Sequence, residues 1–234
     1  MATLLELCQD AIERIGGFST PSSIFGNNDP DAILLKQAAK QMGREIVREY
    51  SWQSLYTEYT FDTVASTVSY DFPSDVQRFA NITFWSDTDD WPLLKVSNVG
   101  WRELNSGVTI SGILFYFTVF GDQIQIHPTP GDLRKIDFDY YSKNYAKSSG
   151  GTAKADFSAD DDTFRLNDEL AVQGITFHYL KRKRLPYAEE KAEYLTTISH
   201  LLADDTPKPT IDVGRTPLSG DLPRPNLPDG NFST

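Results

Sequence analysis

The chain has one cysteine, Cys8, and only three histidines in 234 residues. A lone thiol excludes an intrachain disulfide framework and any thiolate-rich zinc site, and it is compatible with a reducing cytosol. Cys8 falls in the apolar stripe Leu4, Leu5, Cys8, Ile12, Ile15, so it reads as a small core residue rather than a nucleophile. His127 ends a strand, while His178 and His200 lie on helices, and none stands in a metal-ligand spacing or beside a glycine-flanked serine. Neither a zinc site nor an acyl-transfer triad is therefore expected. No P-loop and no GxGxxG fingerprint occurs, and no stretch approaches the ~20 apolar residues of a membrane span. The opening MATLLELCQDAIERIGG carries acids where a signal peptide has a basic leader. An excess of cations is missing too: 22 Lys+Arg face 33 Asp+Glu for a net charge of −11, which repels polyanions and argues against a protein built to grip nucleic acid.

What the chain does have is material for a core. With 39% hydrophobic and 12% aromatic residues it is globular in composition, and a chain of this size folds without staples. The first fifty residues read as two helices, because apolar positions recur at three and four. One spans 3–16 and stops at Gly16-Gly17. The other starts at Asn28-Asp29-Pro30-Asp31, where Asp29 caps and Pro30 occupies the first turn, and it runs to about Tyr50 through Ile33, Leu34, Ala38, Met42 and Ile46.

Over 56–145 the period changes to two. Strands are expected at 56–61, 67–72, 79–85, 92–96, 113–120, 123–127 and 136–140, with Gly121-Asp122 as a hairpin turn and a helical turn near 97–104. About seven strands imply a small antiparallel sandwich or barrel. Residues 146–162 read as a polar connector. Helical spacing then returns from the cap Asn167-Asp168 to Lys181-Arg182-Lys183-Arg184, and again from about Tyr187 through Leu202. The fold class is therefore α+β. A four-helix bundle forms from the N-terminal pair (1–55) and the C-terminal pair (163–204), a β domain with its connector (56–162) is inserted between them, and an extended proline-rich arm (205–234) follows. That arm holds 6 of the 13 prolines and cannot build a core, so it needs a partner surface to lie along.

Chemistry-bearing clusters read as structural. The acids Asp87/Asp89/Asp90 and Asp156/Asp160/Asp161/Asp162 lack the central glycine and terminal glutamate of a calcium loop, and acids in such turns are commonly caps. Lys181 to Arg184 has two readings that stand side by side, a contact for an anionic partner and a complement to the negative end of its helix. The aromatics Trp85, Trp91, Trp101, Tyr59, Tyr70, Tyr116, Tyr140 and Tyr141 read as core or subunit interface rather than a sugar platform. No catalytic residue, cofactor or metal is assigned. Partner-contact candidates are Lys181, Arg182, Lys183 and Arg184, and in the arm Pro207, Pro209, Arg215, Pro217, Pro223, Arg224, Pro225 and Phe232.

The layout resembles the head-to-tail adaptor (connector) proteins of tailed bacteriophages. The resemblance is carried by TLLELCQDAIERIGG, ILLKQAAKQMGREIVREYSWQSL, VSYDFPSDVQRF, FWSDTDDWPL, QIHPTP, IDFDYYSKNYAKSSGGTAKADFSADDDTFRLNDEL and AVQGITFHYLKRKRLPYAEEKAEYL, in that order over about residues 3–204. It implies a non-enzymatic virion protein made in the host cytoplasm. Such a protein assembles after packaging as a portal-adjacent ring, a dodecamer in the usual case, and extends the DNA channel to the tail. Its implied partners are the portal protein, a tail nozzle or tail-tube protein, and tail fibres, with DNA passing through without specific binding. The competing reading from the residues is a carbohydrate-binding or glycoside-acting β-domain protein.

Charge is unevenly placed. Residues 56–162 carry 8 basic and 16 acidic side chains, whereas 163–204 carry 6 of each. Part of the β region is thus expected to face the DNA channel or solvent, and the balanced helices to make subunit contacts.

Overall fold

The computed structural model describes residues 1–80, 83–106 and 116–205. The described residues form a mixed α+β structure with five helices and several sheets. Helix α1 (Leu4–Ile15) opens on a capping box: the Glu6 amide donates to the Thr3 hydroxyl and the Thr3 amide to the Glu6 carboxylate. It ends where Gly16 and Gly17 take positive φ of 71° and 75°, a conformation cheap only for glycine. In α2 (Pro30–Glu49) the Asp29 side chain accepts from the Asp31 amide and proline sits in the first turn, as the sequence anticipates.

Helix α4 (Asp168–Lys183), capped by Asn167, lies against α1, α2 and α5 (Ala188–Asp205). All eleven residues from Leu170 to Leu180 are buried, because helices surround it on several sides and no face is left for water. Gly174 permits that packing: a Cβ there would come within 2.5 Å of Met42 Cγ and 2.9 Å of the Tyr194 ring. By contrast α5 buries only Tyr194 and Ile198.

The second core is made by two sheets. In one, β9 (Lys135–Ser142) is flanked by β1 (Tyr56–Asp62) along one edge and by β3 (Val76–Phe79) and β4 (Trp85–Ser86) along the other, with β5 (Trp91–Pro92) beyond β4. The other runs β2 (Ser69–Asp71), β8 (Gln123–His127), β7 (Tyr116–Phe120), β6 (Leu94–Lys95). Alternation along β9 and β8 turns Ile136, Phe138, Tyr140, Ile124 and Ile126 inward. Phe84 fills the space between the sheets, stacked on Phe117 at 3.8 Å and on Phe138 at 4.7 Å between centroids. The β7–β8 hairpin turns at Gly121, φ 56°, the type II′ position for glycine. Asp75 fastens the end of β9 by accepting from the Tyr140 hydroxyl (3.0 Å), Ser142 Oγ (2.7 Å) and Asn144 Nδ2 (3.3 Å).

Several expectations need correction. The strand expected over 79–85 is two short strands, β3 and β4, with residues 81–82 outside the described set; residues 113–115 of the strand expected over 113–120 lie outside it as well. The helical turn expected at 97–104 is a nine-residue helix, α3 (Asn98–Ser106). The sheets are not wholly antiparallel, since β6 pairs with β7 in parallel. Residues 146–162 are more than a connector. They contribute β10 (Ala146–Lys147) and β11 (Ala153–Lys154), which join β12 (Thr163–Phe164) in a small sheet bridged by Thr163 to Thr3. Tyr145, Ala146, Phe157 and Phe164 belong to the same core as the helices, and the Tyr145 ring packs where a Cβ on Gly43 would sit.

Candidate functional site

Polar side chains in this fold are largely engaged in holding it together. Asp162 is fully buried, accepts from the amides of Ser158 (2.6 Å) and Ala159 (2.9 Å), and pairs with Lys154 Nζ at 2.6 Å. Burial pushes its pKa up, yet Lys154 and the two amides outweigh that, so the carboxylate is held below its usual range. Asp160 caps the loop before α2 by accepting from the Ile24 and Phe25 amides. Asp156 accepts a two-pronged contact from Arg44 (2.8 and 2.5 Å) and a third bond from the Tyr145 hydroxyl (2.8 Å). In the other cluster Asp89 is paired with Arg134, while Asp87 meets Lys135 at 2.7 Å. Both acidic clusters thus act as turn organisers, and the one buried acid among the described residues is bound to a lysine.

The histidines do not converge on a metal: the described residues contain no group of three His, Cys, Asp or Glu side chains placed to hold one. His178 is buried between α4, α2 and α5. Glu45 Oε2 lies 3.1 Å from its Nε2 but outside hydrogen-bonding geometry, and neither ring nitrogen has a hydrogen-bond partner among the described residues. Burial outweighs the Glu45 charge and pushes its pKa down to about 4, with Lys181 and Arg182 acting in the same direction as burial. The Cys8 thiol is buried and its pKa is driven far up, first by burial and then by Asp160, which removes it as a nucleophile.

The aromatic residues singled out in the sequence are split among several environments. Trp101 and Tyr140 are buried, and Tyr59 and Tyr70 pack on the sandwich core. Trp85 and Trp91 are 38% and 40% exposed, but in the β4–β5 pair Trp85 stands opposite Pro92 and Trp91 opposite Ser86. The two indoles therefore leave opposite faces of the ribbon, which is not a shared platform for a sugar ring.

Of the partner-contact candidates, Lys181, Arg182 and Lys183 form the last turn of α4, and Arg184 is its left-handed cap with φ 59°. Lys183 pairs with Asp31 in the first turn of α2 at 2.5 Å and sits over the Phe18 ring at 4.5 Å. Arg182 donates to the side-chain oxygens of Gln37 (2.9 Å) and Gln41 (2.7 Å). These two cations thus tie α4 to α2. Pro207, Pro209, Arg215, Pro217, Pro223, Arg224, Pro225 and Phe232 lie outside the described residues. The arm that bears them leaves α5 at Asp205, whose carboxylate accepts from the Gln53 amide at 2.8 Å.

One surface escapes a reading based on consecutive charges. Lys36, Lys40, Arg44 and Arg48 recur every four residues and so form one ridge along α2. Lys40, Arg44 and Arg48 of this ridge, with Arg182, Gln37, Gln41 and Glu45, line a groove of about 420 Å³. Spacing by four is the signal in the sequence that exposes it. On the β side, the outer face of the β1/β9/β4 sheet aligns Glu58 with Asp139, Thr60 with Asp137 and Asp62 with Lys135.

Among the described residues the polar groups of this two-core scaffold largely close its own turns, and a basic ridge on α2 and an acidic sheet face stand out on its surface. The SU10 adaptor protein family model matches residues 2–213. The chain belongs to the SU10 adaptor protein family, consistent with the resemblance to phage head-to-tail adaptors. No curated protein matches it.

Proposed function

We propose that this chain is a structural virion protein that assembles as a twelve-fold ring between the portal and the tail and extends the DNA channel. The observation that carries the reading is membership of the adaptor family over nearly the whole chain. The fold is compatible with it. The four long helices would close as a bundle around α4, the two-sheet unit would project toward tail components such as the nozzle, tail tube and fibres, and the arm would run along the portal from its root at Gln53. A ring needs two complementary surfaces on each subunit, and a conduit should not hold phosphate, a property that the net charge of −11 per chain favours. Neither a catalytic residue nor a cofactor enters this role. Among the described residues no helix is long and apolar enough to cross a membrane, and the proposed location is the virion neck.

The test is to mix the purified chain with its cognate portal and weigh the products by mass photometry. The reading expects a discrete portal-plus-ring species, and a chain truncated after Asp205 that keeps its circular dichroism spectrum but no longer joins the portal. An unchanged portal mass would overturn the reading.

A further inference from the structure

The basic ridge of α2 and the acidic sheet face are opposite in charge and similar in spacing. Along a helix a four-residue step advances about 6 Å, and along a strand a two-residue step advances about 7 Å. The cations Lys36, Lys40, Arg44 and Arg48 therefore repeat at nearly the interval at which same-face positions repeat on β1 and β9, where Glu58, Asp62, Asp137 and Asp139 stand. The ridge is also partly pre-arranged: Arg182 is fixed by Gln37 and Gln41, and Arg44 by Asp156. The sheet face, for its part, carries the four acids Glu58, Asp62, Asp137 and Asp139 against two cations. Glu58 stands directly opposite Asp139, a like-charge pairing that weakens a sheet, with the Tyr56 hydroxyl donating to Asp139 at 2.6 Å. Lys135 and Arg78, the latter opposite Tyr141 on β9, are cations at that face; Asp87 engages Lys135, and Arg78 donates to Ser51 Oγ and the Arg48 carbonyl.

We propose that the α2 ridge of one subunit receives the acidic β1/β9/β4 face of a second copy of this chain, a head-to-tail contact that repeats around the ring. The inference rests on the ring reading above and names the surfaces through which neighbouring copies meet. Contacts of this kind are heterologous, so each subunit uses its ridge on one side and its sheet face on the other, and rotation closes the set.

Charge-swap variants test it. Lys40→Glu/Arg48→Glu reverses the ridge and Glu58→Lys/Asp62→Lys reverses the face. Circular dichroism confirms folding, and assembly with the cognate portal is followed by sedimentation velocity. Each double variant is expected to weaken ring formation at least tenfold, roughly the effect of placing like charges together in an interface, and the quadruple variant is expected to restore it. Rings that form equally well from both double variants, or a folded quadruple variant that fails to recover, would overturn the pairing of these faces while leaving the ring itself standing. Retention of short duplex DNA by the wild-type chain, lost in Lys40→Glu/Arg48→Glu while rings still form, would make the ridge a nucleic-acid surface and likewise overturn the pairing. A wild-type chain that never joins the portal would remove the ring reading and this contact with it.

Discussion

His178 makes the protein's stability depend on pH in a window that carboxylates enter only at its acid end. In the folded chain burial holds its pKa at about 4, against about 6.5 for the exposed imidazole of the unfolded chain. Above pH 6.5 both states are neutral and the effect is absent. As the pH falls from 6.5 toward 4 the unfolded chain takes up a proton that the folded chain refuses, so folding loses stability throughout that interval and the loss levels off below it. Over the full interval the loss is about 3 kcal/mol, and at pH 5 it is already about 2 kcal/mol. The groups that set the value are Glu45 on α2, which favours protonation, and Lys181 and Arg182 on α4, which oppose it. Urea unfolding monitored by tryptophan fluorescence, from pH 7.5 to 4.5, measures the effect against His178→Phe, which fills the same slot without a titrating group. The difference in unfolding free energy between the two proteins should shift by about 2 kcal/mol in favour of the variant between pH 7.5 and 5. A difference that stays constant with pH would show that His178 is not held neutral and would refute the reasoning.

Two further substitutions probe the helical core. Asp162→Asn removes the charge that pairs with Lys154 and strengthens the bonds from the Ser158 and Ala159 amides; because Lys154 is part-exposed and the Asn oxygen still accepts, the cost is about 1.5–3 kcal/mol, read as a lowered midpoint in thermal or urea unfolding, and a loss under about 1 kcal/mol would contradict its placement. Gly43→Ala would set a methyl 2.3 Å from the Tyr145 ring, whose hydroxyl is tied to Asp156. Its overpacking penalty of about 1–3 kcal/mol exceeds the gain of up to about 1 kcal/mol from better helix propensity, so a lower melting temperature is expected, and an unchanged or raised one would count against that close approach.

The outer helices were legible because their signals are local. Thr3 with Glu6, and Asp29 with Pro30, are capping patterns complete within four residues, and β8 and β9 alternate because one side of each faces the sandwich core. Helix α4 was legible as a helix through Asn167, Leu170, Ile175, Phe177 and Leu180, but not as the element that α1, α2 and α5 share. A helix buried around its circumference has no periodicity to announce where its neighbours lie. The segment 146–162 reads as a connector for the opposite reason: its carboxylates suggest solvent, yet Asp160 and Asp162 turn inward to backbone amides that a sequence cannot pair with them. Two-residue strands such as β5 and β6 exist only through their partners. As for the candidate surfaces, the consecutive run Lys181 to Arg184 drew attention, while the ridge from Lys36 to Arg48 was hidden by its spacing of four although its helix was anticipated.

The most direct test of the adaptor account is a cryo-EM reconstruction of the neck of the cognate virion. The account predicts a ring of twelve copies of this chain seated between portal and tail, with the helical core and the two-sheet unit fitting the density. A neck reconstruction in which no such ring is present, or in which this chain occupies another part of the particle, would contradict it.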